Sequence, residues 1–244
     1  MKEWFLEQKE QFILNFIEDD RWEYLVQGFF NTILLTLLSA IIGVVLGIIV
    51  AAVRTTYDNN YETFKKNGGF GFYLMAVINW ICKLYLTVIR GTPVVVQLLI
   101  MYFIVFATSD NGIMIATIAF GINSGAYVAE IFRGGIMSID KGQLEAGRSI
   151  GFNYLQTMIF VILPQTIKNT LPTLLNEFIA LLKETSVAGY VGVMDLTKAG
   201  NNIRNITYSA FMPLLAVALV YLVLVVVLTW LVGKLERRLR KSDR

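Results

Sequence analysis

The chain has 244 residues, 56% of them apolar, and a mean hydropathy of +0.61, which is too apolar for a soluble domain and indicates a multi-pass membrane protein. Its formal net charge is only +3, and the basic residues gather in a few short segments, a pattern that reports orientation in a membrane and argues against nucleic-acid binding. With one cysteine, Cys82, and no histidine, the sequence excludes an intrachain disulfide, a zinc site of the usual ligands and a histidine proton relay.

The first third of the chain predicts one membrane helix between two polar segments. Residues 1–23 mix charged and apolar side chains without a long apolar run, so we interpret them as an external amphipathic leader and not as a cleavable signal peptide. Residues 24–53 contain no charge and are long enough to cross the bilayer, which needs about 20 apolar residues. Residues 54–71 are polar and carry a Gly-Gly pair, so they predict a water-exposed loop. The one-sided apolar pattern of residues 74–89 predicts an interfacial helix.

Four further membrane helices are predicted, over residues 93–107, 113–132, 164–193 and 213–232. Thr92 is a favourable N-cap and Pro93 is favoured at the first helical position, so a new helix should begin there. Pro172 is expected to interrupt the fourth helix, and the polar, amphipathic residues 195–208 precede the fifth. The architecture expected from the sequence is therefore an all-α membrane protein with five transmembrane helices.

The basic residues orient these helices. Lys and Arg concentrate in the 54–71 loop, around the segment between the third and fourth helices, and in the tail, and such segments face the cytoplasm. Five helices with a cytoplasmic C-terminus place the N-terminus outside. The chain then divides into the external leader (1–23), a transmembrane region (24–232) with a cytoplasmic loop over about 134–164, and a basic cytoplasmic tail (233–244).

The cytoplasmic segment between the third and fourth helices predicts two short helices. Asp140 should begin the first helix, with Gln143 completing a capping-box-like start, and Gly151 should end it. Asn153 should begin the second helix, which Pro164 should stop. A connector does not need so much polar helix, so this segment predicts a docking element.

This segment also carries a family resemblance. Its residues Glu145-Ala146-Gly147, Gly151 and Ile162-Leu163-Pro164 resemble the EAA loop of ABC-importer permeases. Further motifs in a fixed order are similar to the polar amino-acid uptake family, which includes histidine, arginine and glutamine permeases: Arg90-Gly91-Thr92-Pro93 with Gln97-Leu98, residues 126–135, and residues 176–178 with 182–186. The chain departs from the family in Gly147, which stands where alanine is usual and should weaken the helix by about 1 kcal/mol, and in its long leader and 54–71 segment.

The resemblance implies a type I ABC importer permease fold and a set of partners. Glu145, Ala146, Gly147 and Gly151 would form the coupling helix that sits on a separate ATPase, present in two copies. A second permease, the same chain or a similar one, and an external amino-acid-binding protein would complete the complex in a bacterial inner membrane. The sequence has no phosphate-binding loop of the Gly-x-x-x-x-Gly-Lys-Ser/Thr type, so ATP and Mg should bind to the partner and the chain itself should not be an enzyme.

Polar side chains at membrane depth are costly and mark a candidate substrate pathway. Those residues are Glu177, Gln97, Asn123, Ser124, Asn176, Arg90 and Thr92. The carboxylate of Glu177 would pair with a substrate ammonium, and Arg90 or the helix start at Thr92 would bind a substrate carboxylate.

Simpler roles stay open for the same side chains. Glu177 could pair with a basic residue at an interface, and Asn123 and Ser124 could bond only across helices. Arg90 could anchor at the cytoplasmic interface. On the third helix, Glu130 is expected to pair with Arg133, three residues away.

Two other functions compete with an ABC permease. An ion-driven secondary amino-acid transporter would need no EAA-like loop and would usually show two repeated halves, and the sequence shows no such repeat. A non-transporting membrane assembly subunit would not need polar residues at mid-depth in the third and fourth helices.

Overall fold

The computed structural model describes residues 2–241, apart from the side chains of residues 2, 63, 64, 67, 240 and 241. This part of the chain folds into ten α-helices and contains no strand. The helices are α1 (Lys2–Phe12), α2 (Trp22–Asn67), α3 (Gly69–Gly91), α4 (Val94–Ile100), α5 (Gly112–Met137), α6 (Lys141–Ser149), α7 (Tyr154–Thr157), α8 (Leu163–Glu184), α9 (Leu196–Thr207) and α10 (Phe211–Lys241). Residues 1 and 242–244 of the predicted leader and tail lie outside the described residues.

Within residues 2–241, four helices are long and apolar enough to cross a membrane. They span Trp22–Glu62, Gly69–Gly91, Gly112–Met137 and Phe211–Leu239, and a shorter apolar helix covers Val94–Val105. The length and hydropathy of α3 are thus those of a membrane span, whereas the sequence predicted an interfacial helix over residues 74–89. The count of five spans and the external N-terminus stay predictions.

The predicted loop over residues 54–71 is wrong, because α2 continues as a helix to Asn67. Residues 54–66 contain neither glycine nor proline, so their polar side chains are compatible with a solvated helix. The true break is at Gly68 and Gly69, whose φ angles of 59° and 79° lie in the left-handed region.

Two predicted proline breaks are also corrected. Tyr154–Thr157 leads through a π-helical turn, Met158–Ile162, straight into α8, so Pro164 does not end a helix. The wide π turn gives the proline ring room beside the preceding carbonyls. Pro172 lies inside α8 without ending it, as membrane helices tolerate proline. The helix ends instead at Glu184, before a 3₁₀ turn over Thr185–Val191.

The described chain forms two compact units. The first unit contains residues 2–39, Val94–Phe120 and Phe178–Leu231. Its α2 segment lies directly on the start of α9, where a Cβ at Gly28 would be 2.8 Å from the Asp195 carbonyl oxygen. The Leu196 amide donates to the Thr32 hydroxyl at 3.0 Å, so glycine and threonine together allow this close approach.

The second unit contains Ala40–Pro93, Gly121–Glu177 and residues 232–241. Here α2 and α5 cross closely, because Cβ atoms at Gly43 and Gly47 would lie 3.1 Å and 2.5 Å from the side chains of Ser124 and Val128. Gly125 on α5 lies at another close contact, where a Cβ would be 2.9 Å from the Tyr85 hydroxyl. These glycines therefore pack helices together, as close approach in membranes requires.

Candidate coupling element and substrate pathway

The predicted docking segment forms a short helix with defined ends. The Asp140 carboxylate accepts the Gly142 amide at 2.6 Å and caps α6. At the other end, the Gly151 amide donates to the Arg148 carbonyl at 3.0 Å, and Gly151 has φ of 92°. Both predicted ends of this helix are confirmed, since a left-handed glycine is the usual way to end a helix.

A second cap begins the following helix. The Asn153 side chain accepts the Gln156 amide, and the Gln156 side chain accepts the Asn153 amide, both at 2.9 Å. This reciprocal pair is a capping box. Two capped helix starts, thirteen residues apart, therefore determine where α6 and α7 begin.

Gly147 lies at the contact between α6 and α7. It is buried, and a Cβ there would lie 2.4 Å from Cγ2 and 2.8 Å from Oγ1 of Thr157, which is itself fully buried. The departure from the usual alanine thus lets α6 lie directly on α7. The predicted weakening by Gly147 acts on the isolated helix, whereas the glycine is needed for packing.

The other side of α6 is free in the described chain. Glu145, Ala146, Arg148 and Ser149 are all exposed, and Ile150 at the end of the helix is 72% exposed. A capped helix that presents charged and apolar side chains away from its own protein has the character of a binding face. This face contains Glu145 and Ala146 of the predicted coupling set, while Gly147 supports it from behind.

Among the predicted pathway residues, the structure brings Ser124 and Glu177 together. Ser124 on α5 is buried, and its hydroxyl donates to Oε1 of Glu177 on α8 at 3.0 Å. Asn123, the neighbour of Ser124, is buried as well. Glu177 is only half-buried, so the structure brings one buried polar side chain and one partly exposed carboxylate together.

The remaining pathway residues lie in different settings. Asn176, beside Glu177, is exposed, and Gln97 on α4 is half-buried. Thr92 is exposed in the break between α3 and α4, and its hydroxyl donates to the Val88 carbonyl at 2.8 Å. The predicted helix boundary at Thr92 is confirmed, because its backbone is extended (φ −124°, ψ 147°). The transport roles of these residues stay predictions.

The predicted Glu130–Arg133 ion pair is wrong. Glu130 lies 3.7 Å from the Arg90 guanidinium, which also sits 5.8 Å from the centre of the Tyr127 ring. Arg133 instead approaches Asp58 on α2 at 3.3 Å. Neighbouring helices offer these side chains partners outside their own helix, which spacing along one helix cannot reveal.

Sequence reasoning missed two buried polar groups. Asn15 in the leader is fully buried, and it accepts from the Thr207 hydroxyl at 2.8 Å and donates to Ser209 at 3.2 Å. Arg54 is 9% exposed, and its Nη1 donates to the Asn79 side chain at 3.0 Å. An asparagine within the apolar run ILNFI was the available signal for the first.

Comparison with known proteins agrees with this architecture. Residues 68–241 match the family described as binding-protein-dependent transport system inner membrane component. The chain is 35% identical over 225 residues to the probable glutamine ABC transporter permease protein GlnM of Bacillus subtilis, covering 91% of this chain and 96% of the relative. It is 39% identical over 167 residues to the arginine transport system permease protein ArtQ of the same organism, covering 67% and 76%.

Solved structures show the same fold. A chain from the crystal structure of an amino acid ABC transporter with histidines superposes with a TM-score of 0.76 at 36% identity, covering 88% of this chain and 94% of that one. A chain of the inward-facing MetNI methionine ABC transporter gives a TM-score of 0.73 at 20% identity, covering 91% and 98%.

The helical fold is that of the permeases of type I ABC importers. The chain belongs to the family of binding-protein-dependent transport system inner membrane components. It is therefore a multi-pass membrane transport subunit and not an enzyme, since in this class the ATPase is a separate subunit.

Proposed function

We propose that this chain is the permease subunit of an ATP-driven importer of polar amino acids in a bacterial inner membrane. The observation that carries the proposal is the fixed α6, with its exposed face of Glu145, Ala146 and Ile150. The names of the relatives, an arginine permease and a glutamine permease among them, support the substrate class. The proposed topology has five spans, an external N-terminus and a cytoplasmic C-terminus.

The proposed complex contains two ATPase subunits, which bind ATP and Mg, and a second permease of the same or similar sequence. An external binding protein delivers the amino acid. Closure of the ATPases would move α6, and the packing of Gly147 on Thr157 would pass this movement to α7 and α8, which continue from one another. Alternating access would follow from the movement of these helices.

Photo-crosslinking tests the docking role of α6. The native Cys82 is buried, so a cysteine-reactive benzophenone can be placed at Ser149→Cys, which is exposed on α6. We expect a crosslink to the ATPase in the purified complex. The matched control is Tyr208→Cys, which is 95% exposed and follows α9 on the proposed outer side, and it should give no such crosslink. Equal crosslinking from both positions would contradict the proposed docking face.

The proposed substrate pathway centres on Glu177. Every amino acid carries an α-ammonium, and Glu177 offers a carboxylate that is half-buried and oriented by Ser124. A charge-assisted bond of this kind is strong in a partly dry site. Gln97, Asn123, Asn176 and Thr92 would supply neutral hydrogen bonds, and Arg90 lies 3.7 Å from Glu130 in a partly exposed ion pair.

Uptake by reconstituted complexes tests this assignment. Glu177→Gln keeps the shape of the side chain and its ability to bond to Ser124, but it removes the charge that would bind an ammonium. We expect uptake of both arginine and glutamine to fall at least about tenfold, the effect of losing about 1.4 kcal/mol of binding. Glu62→Gln, an exposed carboxylate near the end of α2, should leave uptake unchanged. Normal uptake by Glu177→Gln would remove Glu177 from the pathway.

A further inference from the structure

A basic pocket lies in the second unit, beside α3. It has a volume of about 460 Å³ and opens to the surface. Its lining consists of Arg54 from α2, Lys83, Leu86, Thr87, Arg90 and Gly91 from α3, and Glu130 from α5. Three cationic side chains therefore face one carboxylate, which leaves the pocket with an excess of positive charge.

Arg54 is the most unusual member of this group. Arg54 as a whole is 9% exposed. Its Nη1 donates to the Asn79 side chain at 3.0 Å, and its buried Nε has no hydrogen-bond partner among the described residues. No ion pair to Arg54 occurs in the described part of the chain. A buried guanidinium without a counter-ion is costly, because both its charge and its N–H groups have left water. An anion in the pocket would offset that cost.

The other side chains fit the same requirement. Arg90 and Glu130 are separated by 3.7 Å, and their side chains are 45% and 32% exposed, so this pair is loose and leaves donors available. Lys83 is exposed, and no ion pair or hydrogen bond to its ammonium occurs in the described chain. A phosphate with several oxygens suits three convergent cations better than a single carboxylate does.

An apolar stripe runs next to the pocket. Trp80, Leu84 and Val88 are spaced at four-residue intervals on α3 and are 61%, 47% and 49% exposed. They lie on the helix face adjoining that of Lys83, Thr87 and Arg90, which follow the same helical spacing. A ligand that fills the pocket and also covers this stripe must have an anionic head and an apolar tail.

We propose that this pocket binds the phosphate headgroup of an anionic membrane lipid, with an acyl chain along Trp80, Leu84 and Val88. The position agrees with this ligand, because Arg54 directly follows the uncharged run of residues 24–53, where cationic side chains meet anionic headgroups on the cytoplasmic side. A free phosphate or a substrate carboxylate would use the same cations but would leave the apolar stripe uncovered. The site does not depend on which substrate the permease transports.

Lipid titration of the intact, detergent-purified complex, followed by native mass spectrometry, tests the proposal. Dioleoyl phosphatidylglycerol should bind saturably and more tightly than dioleoyl phosphatidylcholine. Lys83→Gln should weaken phosphatidylglycerol about fivefold, the effect expected for one basic residue near a headgroup. Glu130→Gln removes the opposing carboxylate and should strengthen the same lipid by a similar factor. Lys66→Gln, an exposed cation near the end of α2, should change neither lipid.

The two pocket variants make the test independent of Arg54, whose burial makes its replacement a risk to folding. Equal binding of the two lipids by the wild-type complex would overturn the proposal. The same holds if Lys83→Gln and Glu130→Gln both leave phosphatidylglycerol binding unchanged. Displacement of the lipid by inorganic phosphate or by arginine would assign the pocket to a soluble anion or to the substrate, and would also refute the lipid site.

Discussion

Replacing Gly147 by alanine should loosen the coupling helix, although alanine is the better helix former. The substitution favours the isolated α6 by about 1 kcal/mol. Against this, the added Cβ would lie 2.4 Å from Cγ2 and 2.8 Å from Oγ1 of Thr157, a fully buried side chain that cannot move away freely. Overpacking of this kind costs about 1–3 kcal/mol. The net result should be a loss of up to about 2 kcal/mol at the contact between α6 and α7.

A second substitution should restore the contact. Thr157→Ala removes both clashing atoms and leaves the Thr157 Cβ 3.1 Å from the new methyl group. Alone, it also removes the bond from the threonine hydroxyl to the Asn153 carbonyl at 3.0 Å, worth about 1 kcal/mol. In a double-mutant cycle the two substitutions should therefore be less harmful together than the sum of their separate effects.

Two measurements on the purified complex test the effect of Gly147→Ala. The ratio of substrate molecules imported to ATP molecules hydrolysed should fall, because a displaced α6 transmits less of the ATPase movement. The thermal midpoint of the complex should fall as well, and adding Thr157→Ala should recover part of both losses. A Gly147→Ala complex with a higher midpoint and an unchanged ratio would show that helix propensity outweighs the close contact, and the packing argument would be refuted.

Three further substitutions probe other parts of the structure. Asn15→Ala removes a fully buried amide together with its hydrogen bonds to Thr207 at 2.8 Å and Ser209 at 3.2 Å, so it should cost about 1–3 kcal/mol and lower the thermal midpoint. Arg133→Gln, which breaks a partly exposed 3.3 Å ion pair, should cost at most about 1 kcal/mol. Equal shifts in midpoint would contradict this ranking. Asp195 is buried at the N-cap of α9, and burial raises the pKa of its carboxyl even though the Thr197 and Lys198 amides oppose the shift. The folded state therefore keeps this proton to higher pH than the unfolded chain, and stability should rise as pH falls from that raised pKa toward about 3.9. Asp195→Asn should remove this rise in midpoint, and an unchanged pH dependence would exclude Asp195 as its source.

The ends of the coupling helices could be predicted from the sequence because they depend on local chemistry. Asp140, Gly151 and Asn153 act on backbone groups within a few residues, and the structure places them as expected. The extension of α2 to Asn67 could not be predicted in this way. Polarity alone does not distinguish a loop from a solvated helix, and only Gly68 and Gly69 carried the correct signal.

The contacts in the candidate pathway and the basic pocket could not be predicted from the sequence, because they join residues on different helices. The types and depth of Ser124 and Glu177 were visible in the sequence, but their contact depends on how α5 and α8 meet. The predicted partner of Glu130 was wrong because Arg90, on another helix, competes with Arg133 on the same helix as Glu130. The burial of Arg54 was invisible for the same reason, since it depends on the packing of α2 against α3.

Uptake into proteoliposomes distinguishes an ATP-driven permease from an ion-driven transporter. The complex of this permease with its ATPase, a second permease and its binding protein would be reconstituted, and import of labelled arginine and glutamine would be measured with and without ATP. The proposed function predicts import of at least one of them that requires ATP, stops with vanadate and falls in Gly147→Ala. Import that persists without ATP, resists vanadate and follows an ion gradient would contradict it and would favour an ion-driven secondary transporter.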